Sequence, residues 1–172
     1  MPSTTYVPLQ TINVAANNTV NTMQFTNFAG YTDLHLVLRA KGQSSGTGGS
    51  AWWRVNGQAS NNTSWNWTYT SAGPSYAAAS GRNQSTSKCV WNWVQVISGT
   101  TFELMTADIL NYSATDKYKV GFNRSGSPEL SVELESWQLM DTAAITTIEI
   151  GMDGTQYFAG GSSATLYGIL GA

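Results

Sequence analysis

Charged residues are scarce in this chain. Asp, Glu, Lys and Arg make up only 10% of its 172 residues, whereas about 25% is usual in soluble domains. The formal net charge is −2, and the few Lys and Arg residues are scattered rather than grouped into the basic stripe that binds a phosphate backbone. We therefore expect no nucleic acid partner, and a surface of Ser, Thr, Asn and Gly that is polar but weakly charged.

Cysteine and histidine each occur once. Cys89 cannot form an internal disulfide, and together with His35 it cannot build the usual Cys/His metal-ligand spacings. We expect Cys89 to be a small buried hydrophobic residue in a strand. His35 has no accompanying serine or cysteine motif that would make it a catalytic base, so a position on the surface or on the second face of its strand is favoured. The sequence thus predicts no metal, no cofactor and no catalytic residues.

Segments that would direct the chain to a membrane or to a nucleotide are also lacking. Residues 1–10 show no positive region followed by an apolar core, and no run approaches the roughly 18 apolar residues of a membrane span. Residues 41–50, KGQSSGTGGS, lack the Gly-Lys-Ser/Thr ending of a phosphate loop. We expect a soluble protein that is made in a cytoplasm and binds neither membrane nor nucleotide. Because no secretory signal is visible, we interpret the Asn-x-Ser/Thr triplets at Asn61 and Asn66, which match the N-glycosylation pattern, as a result of the Asn- and Thr-rich composition only.

The chain does contain a succession of short strand patterns. Roughly nine to eleven segments alternate apolar and polar residues, turn signals separate most of them, and no segment has a convincing amphipathic helix period. This pattern predicts an all-β fold, an antiparallel β-sandwich of jelly-roll-like architecture in a single domain. Residues 1–12 are expected to be an N-terminal arm or the first strand, and residues 13–172 the β-sandwich domain.

Turn residues suggest which strands pair. Asn56-Gly57 and Asp153-Gly154 are dipeptides typical of tight turns between antiparallel strands. Three neighbouring pairs are predicted from such turns: Tyr6–Ile12 with Thr19–Phe28, Ala51–Val55 with Trp65–Thr70, and a closing hairpin within Thr142–Ala172.

Alternation along two strands predicts which side chains face inward. One is the central strand Tyr31–Arg39, and the other follows the turn at Pro128. The apolar sets assigned to the core are Leu34, Leu36 and Leu38 in the first strand, and Leu130, Val132 and Leu134 in the second.

The same alternation places Glu133 and Glu135 side by side on an outer face. The two carboxylates would be roughly 7 Å apart. This distance lies between the carboxylate–carboxylate distances of retaining and of inverting glycosidases. They point the same way from one ribbon, however, and leave no room for a sugar between them. A solvated face, or ion pairs with Lys117 and Lys119 across the sheet, is favoured over an active site.

Aromatic residues are the abundant group with a functional interpretation. The candidates for a glycan or interface surface are Trp52, Trp65, Trp67, Tyr69, Trp91 and Trp93. Rows of Trp and Tyr on an exposed sheet face can stack on sugar rings while the neighbouring Asn and Thr residues bond the hydroxyls. Alternatively, the rings fill the sandwich core or a subunit interface, where Trp and Tyr are enriched. Core or interface is the favoured interpretation, and exposure of the rings distinguishes the two.

Several short motifs follow one another along nearly the whole chain. They are Gly30-Tyr31-Thr32-Asp33-Leu34, Asn111-Tyr112-Ser113, Arg124-Ser125-Gly126, Phe158-Ala159-Gly160 and Leu166-Tyr167-Gly168-Ile169. In their order and spacing the chain resembles a widespread family of small bacteriophage virion proteins, often labelled tail fibre or virion structural protein. The resemblance implies β-sandwich modules on the outside of a phage particle, usually oligomeric and often trimeric, without catalysis.

The resemblance leaves the place on the virion open. Strand-like sequence begins within the first dozen residues, so we expect no long fibre shaft and favour a compact module that sits directly on another protein. The first hypothesis is a non-enzymatic capsid decoration (cement) protein on the outer surface of the head, a homotrimer that contacts the major capsid protein or another virion protein. The alternative is a tail fibre or baseplate module that binds a host-surface receptor or glycan. Either would be synthesised in the host cytoplasm.

Overall fold

The computed structural model describes residues 5–43, 49–58, 63–71, 76–84, 90–96, 101–127, 131–153 and 155–171. For Tyr69, Ser71, residues 82–84, residues 90–96 and Ser131 the description covers the backbone only. The strands in these ranges are β1 (Tyr6–Asn13), β2 (Thr19–Val20), β3 (Thr22–Thr26), β4 (Asp33–Ala40), β5 (Gly49–Val55), β6 (Thr63–Ser71), β7 (Tyr76–Gln84), β8 (Val90–Val96), β9 (Glu103–Leu110), β10 (Lys119–Gly126), β11 (Ser131–Leu139), β12 (Thr147–Met152), β13 (Phe158–Ala159) and β14 (Ser163–Ile169). No helix occurs among the described residues. This part of the chain therefore contains no helix that is long and apolar enough to span a membrane.

The strands form an all-β, antiparallel fold of a single domain. An eight-stranded sheet has the order β1-β14-β4-β9-β10-β11-β6-β7, and a four-stranded sheet has the order β3-β12-β5-β8. β2 and β13 add a two-stranded ribbon. Buried apolar side chains of the two larger sheets belong to one continuous core, which makes a β-sandwich and confirms the predicted fold class. The jelly-roll-like arrangement stays a prediction.

The core lies where aliphatic side chains of β4, β9 and β14 meet those of β3, β5 and β12. Leu34, Leu36 and Leu38 are at most 1% exposed, as the alternation predicts, and β4 is paired on both sides. Trp53 of β5 meets Trp137 of β11 edge to face, with ring centroids 5.2 Å apart. Full burial of a leucine side chain contributes roughly 1.5–3 kcal/mol, so this shared core accounts for the association of the sheets.

All three predicted strand pairings are wrong. β1 pairs with β14, whereas β3 pairs with β12. β5 pairs with β12 and β8, while β6 pairs with β11 and β7 in the other sheet. β12 and β14, the arms of the expected closing hairpin, also lie in different sheets. Turn residues report a local reversal of the chain, but they do not specify the neighbour of a strand when the chain crosses between two layers.

The Asn56-Gly57 turn is present, although it connects two sheets instead of two paired strands. Both residues have positive φ, 51° and 62°, as this dipeptide favours. The Asn56 side chain also donates to the Ala144 carbonyl (2.8 Å) and accepts from the backbone N–H of Thr146 (2.8 Å). The turn therefore anchors the segment that leads into β12.

The inward and outward faces of β11 are the reverse of the prediction. Val132 and Leu134 are 64% and 52% exposed, while Glu135 is only 2% exposed. Leu130 lies outside the described residues. Alternation identifies the two faces of a strand, but only the neighbouring layer decides which of them is covered. Here β8 of the smaller sheet lies over the face of β11 that carries the carboxylates.

Lys119 is completely buried and does not form the predicted ion pair with the carboxylates of β11. It stands opposite Leu139 in the sheet. Its ammonium group donates to the backbone carbonyls of Ala114 (2.6 Å), Thr142 (2.7 Å), Lys117 (3.3 Å) and Asp141 (3.4 Å). Burial lowers the pKa of Lys119, and nearby aspartates oppose that effect. Lys119 therefore ties the loop before β10 to the loop after β11.

Candidate functional site

The inner face of the larger sheet changes character along its width. At β14, β4 and β9 it is aliphatic, whereas at β10, β11 and β6 it carries polar and aromatic side chains. One cross-strand row contains Asn123, Glu135 and Trp67, and the next contains Trp137 and Trp65. Residues paired across strands share a face, so all five lie on the inner face. We call these five residues the polar–aromatic region.

Trp65 and Trp67 form a stacked pair at the outer end of this region. Their ring centroids are 6.4 Å apart with 21° between the ring planes, and both side chains are half-buried. Their neighbours on β7 are small, with Gly81 opposite Trp65 and Ala79 opposite Trp67, and Ala77 follows on the same face. We call the surface of these five residues the aromatic trough.

The trough lies at the end of the larger sheet. β7 is an edge strand, and β8 lies over β9, β10 and β11, so β6 and β7 extend beyond the described strands of the smaller sheet. Within the described residues, the polar–aromatic region continues from the trough into the space between the sheets.

The polar residues between the tryptophans face away from the trough. Successive strand residues point to opposite sides, and Asn66 stands opposite the exposed Ser136 on the outer face. Thr68 shares that outer face. Asn66 and Thr68 therefore lie on the face of β6 opposite to Trp65 and Trp67, and the prediction of a sugar site stays a prediction. The polar groups on the tryptophan face come from β11 instead, chiefly Glu135.

Glu135 is the buried polar centre of the region. Its Oε2 accepts a hydrogen bond of 2.7 Å from Asn123 Nδ2. Burial raises the pKa of Glu135 to about 9, with a smaller contribution from Glu133, and the Asn123 bond partly opposes the rise. The carboxyl is therefore neutral near pH 7. Within the described part of the chain, Glu135 Oε1, Asn123 Oδ1 and the indole N–H groups of Trp65 and Trp137 have no hydrogen-bond partner, although such buried groups are normally paired.

Trp52 lies far from the trough, on the outer face of the smaller sheet. It is 9% exposed and packs over Gly151, where a methyl group would come within 2.2 Å of the indole. Next to it, Arg54 donates to both carboxylate oxygens of Glu149, at 2.8–2.9 Å. Trp52 is thus packed against the strands of its own sheet.

The remaining aromatic candidates are placed by their backbone alone. Tyr69 stands opposite Glu133 on β11, and Trp91 stands opposite Trp52 on β5. Trp93 also belongs to β8. The side chains of these three aromatic residues lie outside the description, so the prediction for them stays a prediction.

The outer face of the larger sheet carries a group of exposed apolar side chains. They are between 36% and 68% exposed. The members of this outer apolar band are Tyr76, Leu104, Val120, Phe122, Val132 and Leu134. Val132 and Leu104 flank Gly126 in one cross-strand row, and a shallow groove of about 410 Å³ separates Phe122 from β6. Sequence reasoning missed the band because it assigned the apolar face of β11 to the core.

A second feature of the outer face also escaped sequence reasoning. His35 Nδ1 lies 2.6 Å from Asp108 Oδ1, and the Tyr6 ring meets the imidazole edge to face at 5.6 Å. Arg124 lies 3.9 Å from the same carboxylate. The contact depends on the register of β4 and β9, which places His35 opposite Asp108, and no spacing within the sequence reveals it.

Neither the comparisons with known proteins nor the arrangement of possible metal ligands in the described residues indicates a function. No protein-family model, curated protein or solved structure matches this chain. Among the described residues, no group of three His, Cys, Asp or Glu side chains is placed to hold a metal ion. The resemblance to phage virion proteins therefore depends on the sequence motifs alone.

Proposed function

We propose that this protein is a non-enzymatic structural protein of a bacteriophage particle, a capsid decoration (cement) protein on the outer surface of the head. The observation that carries the proposal is the outer apolar band, which is exposed in the single chain. The largest exposed apolar patch on a folded domain is often functional, and a flat sheet face of this kind suits contact with another protein. The sequence resemblance supplies the kind of particle.

The size and chemistry of the band suit a protein partner. Its six side chains expose on the order of 500 Å², near the upper end of the roughly 300–600 Å² that is typical of the largest apolar patch on a monomer. A standard interface covers about 800 Å² on each partner, so the band with its rim of Thr, Ser and Asn approaches the required area. Arg124 stands opposite Leu134, Asp108 opposite Phe122 and Arg39 opposite Leu104, so the partner surface has to accommodate a few charges of both signs at the band.

The occupant we propose is a neighbouring subunit of the head, the major capsid protein or another virion protein. A sheet face that packs flat against the shell would spread the contact over several strands and resist peeling. As the resemblance implies, we expect the bound form to be a homotrimer.

Immunogold labelling of intact particles with antibody against this chain tests the proposal. We expect gold over the head. Gold confined to the tail would contradict decoration and favour a tail fibre or baseplate module, and the absence of gold from the particle would contradict a virion protein of either kind.

A receptor-binding module on the tail is the second candidate function. The stacked Trp65–Trp67 pair favours it, because aromatic faces pack well against the apolar faces of sugar rings. Labelling of the tail, together with glycan binding that depends on Trp67, would replace the first proposal by this one.

A further inference from the structure

The outer face of the larger sheet separates its charges by sign. Arg39, Arg124, Asp108 and Asp33 lie, in this order, in four successive cross-strand rows. The two cations therefore occupy one half of the face, and the two carboxylates occupy the other half. Among the described side chains of the eight strands, no further Asp, Glu, Lys or Arg lies on this face.

Contacts within the chain hold these charges in position without using all their bonding capacity. Asp108 Oδ1 lies 2.6 Å from His35 Nδ1, and Asp33 Oδ1 accepts from the backbone N–H of Asn111 at 2.7 Å. Arg124 is 66% exposed and lies 3.9 Å from Asp108 Oδ2. A carboxylate accepts several hydrogen bonds and a guanidinium donates several. A partner with opposite charges in matching positions can therefore add ion pairs to this face.

The same face carries an apolar projection and a recess. Leu134 is 52% exposed and belongs to the row of Arg124. The next row on β11 contains Ser136, which is exposed and lies in the shallow groove of about 410 Å³ between Phe122 and β6. The projection and the recess are thus one row apart on the same strand, on the two sides of the line that separates the charges.

The area of the face is sufficient for a stable dimer. The larger sheet has eight strands of seven to nine residues. With about 4.8 Å per strand and about 3.3 Å per residue, the face measures on the order of 34 Å by 25 Å. A standard interface covers about 800 Å² on each partner, and two sheets pack face to face about 10 Å apart. Two such faces can therefore cover each other.

We propose that two copies of the free protein associate through this face as a two-fold symmetric dimer. The axis runs across the strands, in the plane between the copies, and passes between the row of Arg124 and the row of Asp108. This rotation places Arg39 of one copy over Asp33 of the other. It also places Arg124 of one copy one strand away from Asp108 of the other. Each contact occurs twice, because a two-fold interface uses the same patch on both copies.

The same rotation places Leu134 of each copy over Ser136 of the other, so that the projecting leucine enters the shallow groove. The outer apolar band is then covered in the free protein. The dimer does not rest on the proposed function, because it forms without a particle. Together with that function, it implies that the dimer dissociates before the band attaches to the head.

Sedimentation velocity of the purified protein, without particles, tests the dimer. We expect a species of twice the 18.5 kDa mass of the chain, with a Kd in the micromolar range. Leu134→Lys should weaken the dimer about tenfold or more, and so should Arg124→Glu, which faces the partner with a like charge. The matched controls are Thr22→Lys and Thr22→Glu on the exposed side of β3, with Kd values within about twofold of the wild type.

Salt separates paired charges from apolar contact alone. Raising NaCl from about 20 mM to about 500 mM should weaken the wild-type dimer several-fold, because the charges are screened, and should affect Arg124→Glu less. Circular dichroism verifies that the variants are folded. A wild type that stays monomeric at about 100 μM, a trimer, or a dimer that tolerates both Leu134→Lys and Arg124→Glu would overturn the proposal. Gold over the head with a monomeric free protein would leave the proposed function standing, and a dimer without gold on the particle would do the reverse.

Discussion

At the scale of single residues, the interior of this sandwich contains polar groups that most β-sandwich cores exclude. Glu135 is buried beside Asn123, and Lys119 is buried within a set of backbone carbonyls. Transfer of a charge from water into such a site is costly. The free-energy cost of burial is reduced in two different ways. Glu135 stays neutral, whereas Lys119 donates to several acceptors.

The protonation of Glu135 makes stability depend on pH. The pKa of this carboxyl is about 9 in the folded state, against an ordinary value of 4.5. Between these values the unfolded state binds fewer protons than the folded state, so the free energy of unfolding falls as pH rises, by at most ~1.4 kcal/mol per pH unit from this group. Below about pH 4.5 the effect is absent.

Glu135→Gln should remove this pH dependence. The amide remains neutral and can still accept from Asn123, so we expect the variant to be similar to the wild type near pH 5 and increasingly more stable than it toward pH 9. Urea unfolding from pH 5 to 9 measures the difference, with Asp116→Asn as the control because that carboxylate is 76% exposed. A constant difference between Glu135→Gln and wild type across this range would show that Glu135 ionises normally.

Lys119→Met should destabilise the protein strongly. The substitution preserves much of the side-chain volume but leaves buried carbonyls without a donor, and we expect a loss of about 3 kcal/mol in the free energy of unfolding. Lys117→Met is the matched control, since Lys117 is 54% exposed, and it should change stability by no more than ~0.5 kcal/mol. Equal effects of the two substitutions in denaturant unfolding would contradict the structural role of Lys119.

At the scale of elements, β10 shows how one strand serves two surfaces. Lys119, Gly121 and Asn123 lie on its inner face, while Val120 and Phe122 belong to the outer apolar band. Gly121 is the point of closest approach, because Trp137 of β11 lies directly over it. A methyl group there would be 2.5 Å from Trp137 Cζ2 and 1.9 Å from the backbone carbonyl oxygen of Asp108.

Gly121→Ala should therefore disturb the junction of β9, β10 and β11. The clash involves backbone, which cannot rotate away, and we expect a loss of about 3 kcal/mol. Gly126→Ala on the same strand is the control, because a methyl group at Gly126 has no neighbour within 4 Å. Chemical denaturation of both variants measures the effect, and a Gly121→Ala variant as stable as Gly126→Ala would refute the tight packing of Trp137.

At the scale of the whole molecule, the larger sheet separates two kinds of surface. Its outer face carries the outer apolar band, and its inner face carries the core and the aromatic trough. Attachment to a particle through the outer face would leave the inner face and its core undisturbed.

Leu134→Lys tests the outer apolar band as the surface of attachment. Leu134 is 52% exposed, so the variant should fold with a stability change of no more than ~0.5 kcal/mol, yet a charge in the middle of a buried contact should weaken attachment about tenfold or more. Co-sedimentation with particles that lack the protein measures attachment. Thr22→Lys, on the exposed side of β3, should attach normally, and equal attachment of Leu134→Lys would remove the band from the interface.

The sequence alone determined the fold class and the alternation within strands. Leu34, Leu36 and Leu38 are core residues as predicted, and the same period of two places Trp65 and Trp67 on one face. These predictions hold because side-chain alternation is a property of a single strand and needs no knowledge of its neighbours.

Tertiary structure alone decided which strands pair and which face of each strand is covered. The exposed Leu134 and the buried Glu135 show this. By composition, the face of β11 that carries Leu134 suits a core, but the smaller sheet covers the opposite face, which carries Glu135. The trough likewise exists only because β7 places Ala79 and Gly81 beside the tryptophans. Pairing and coverage arise from contacts between residues distant in sequence, and the free energy of those contacts depends on the whole arrangement of layers and not on any one segment.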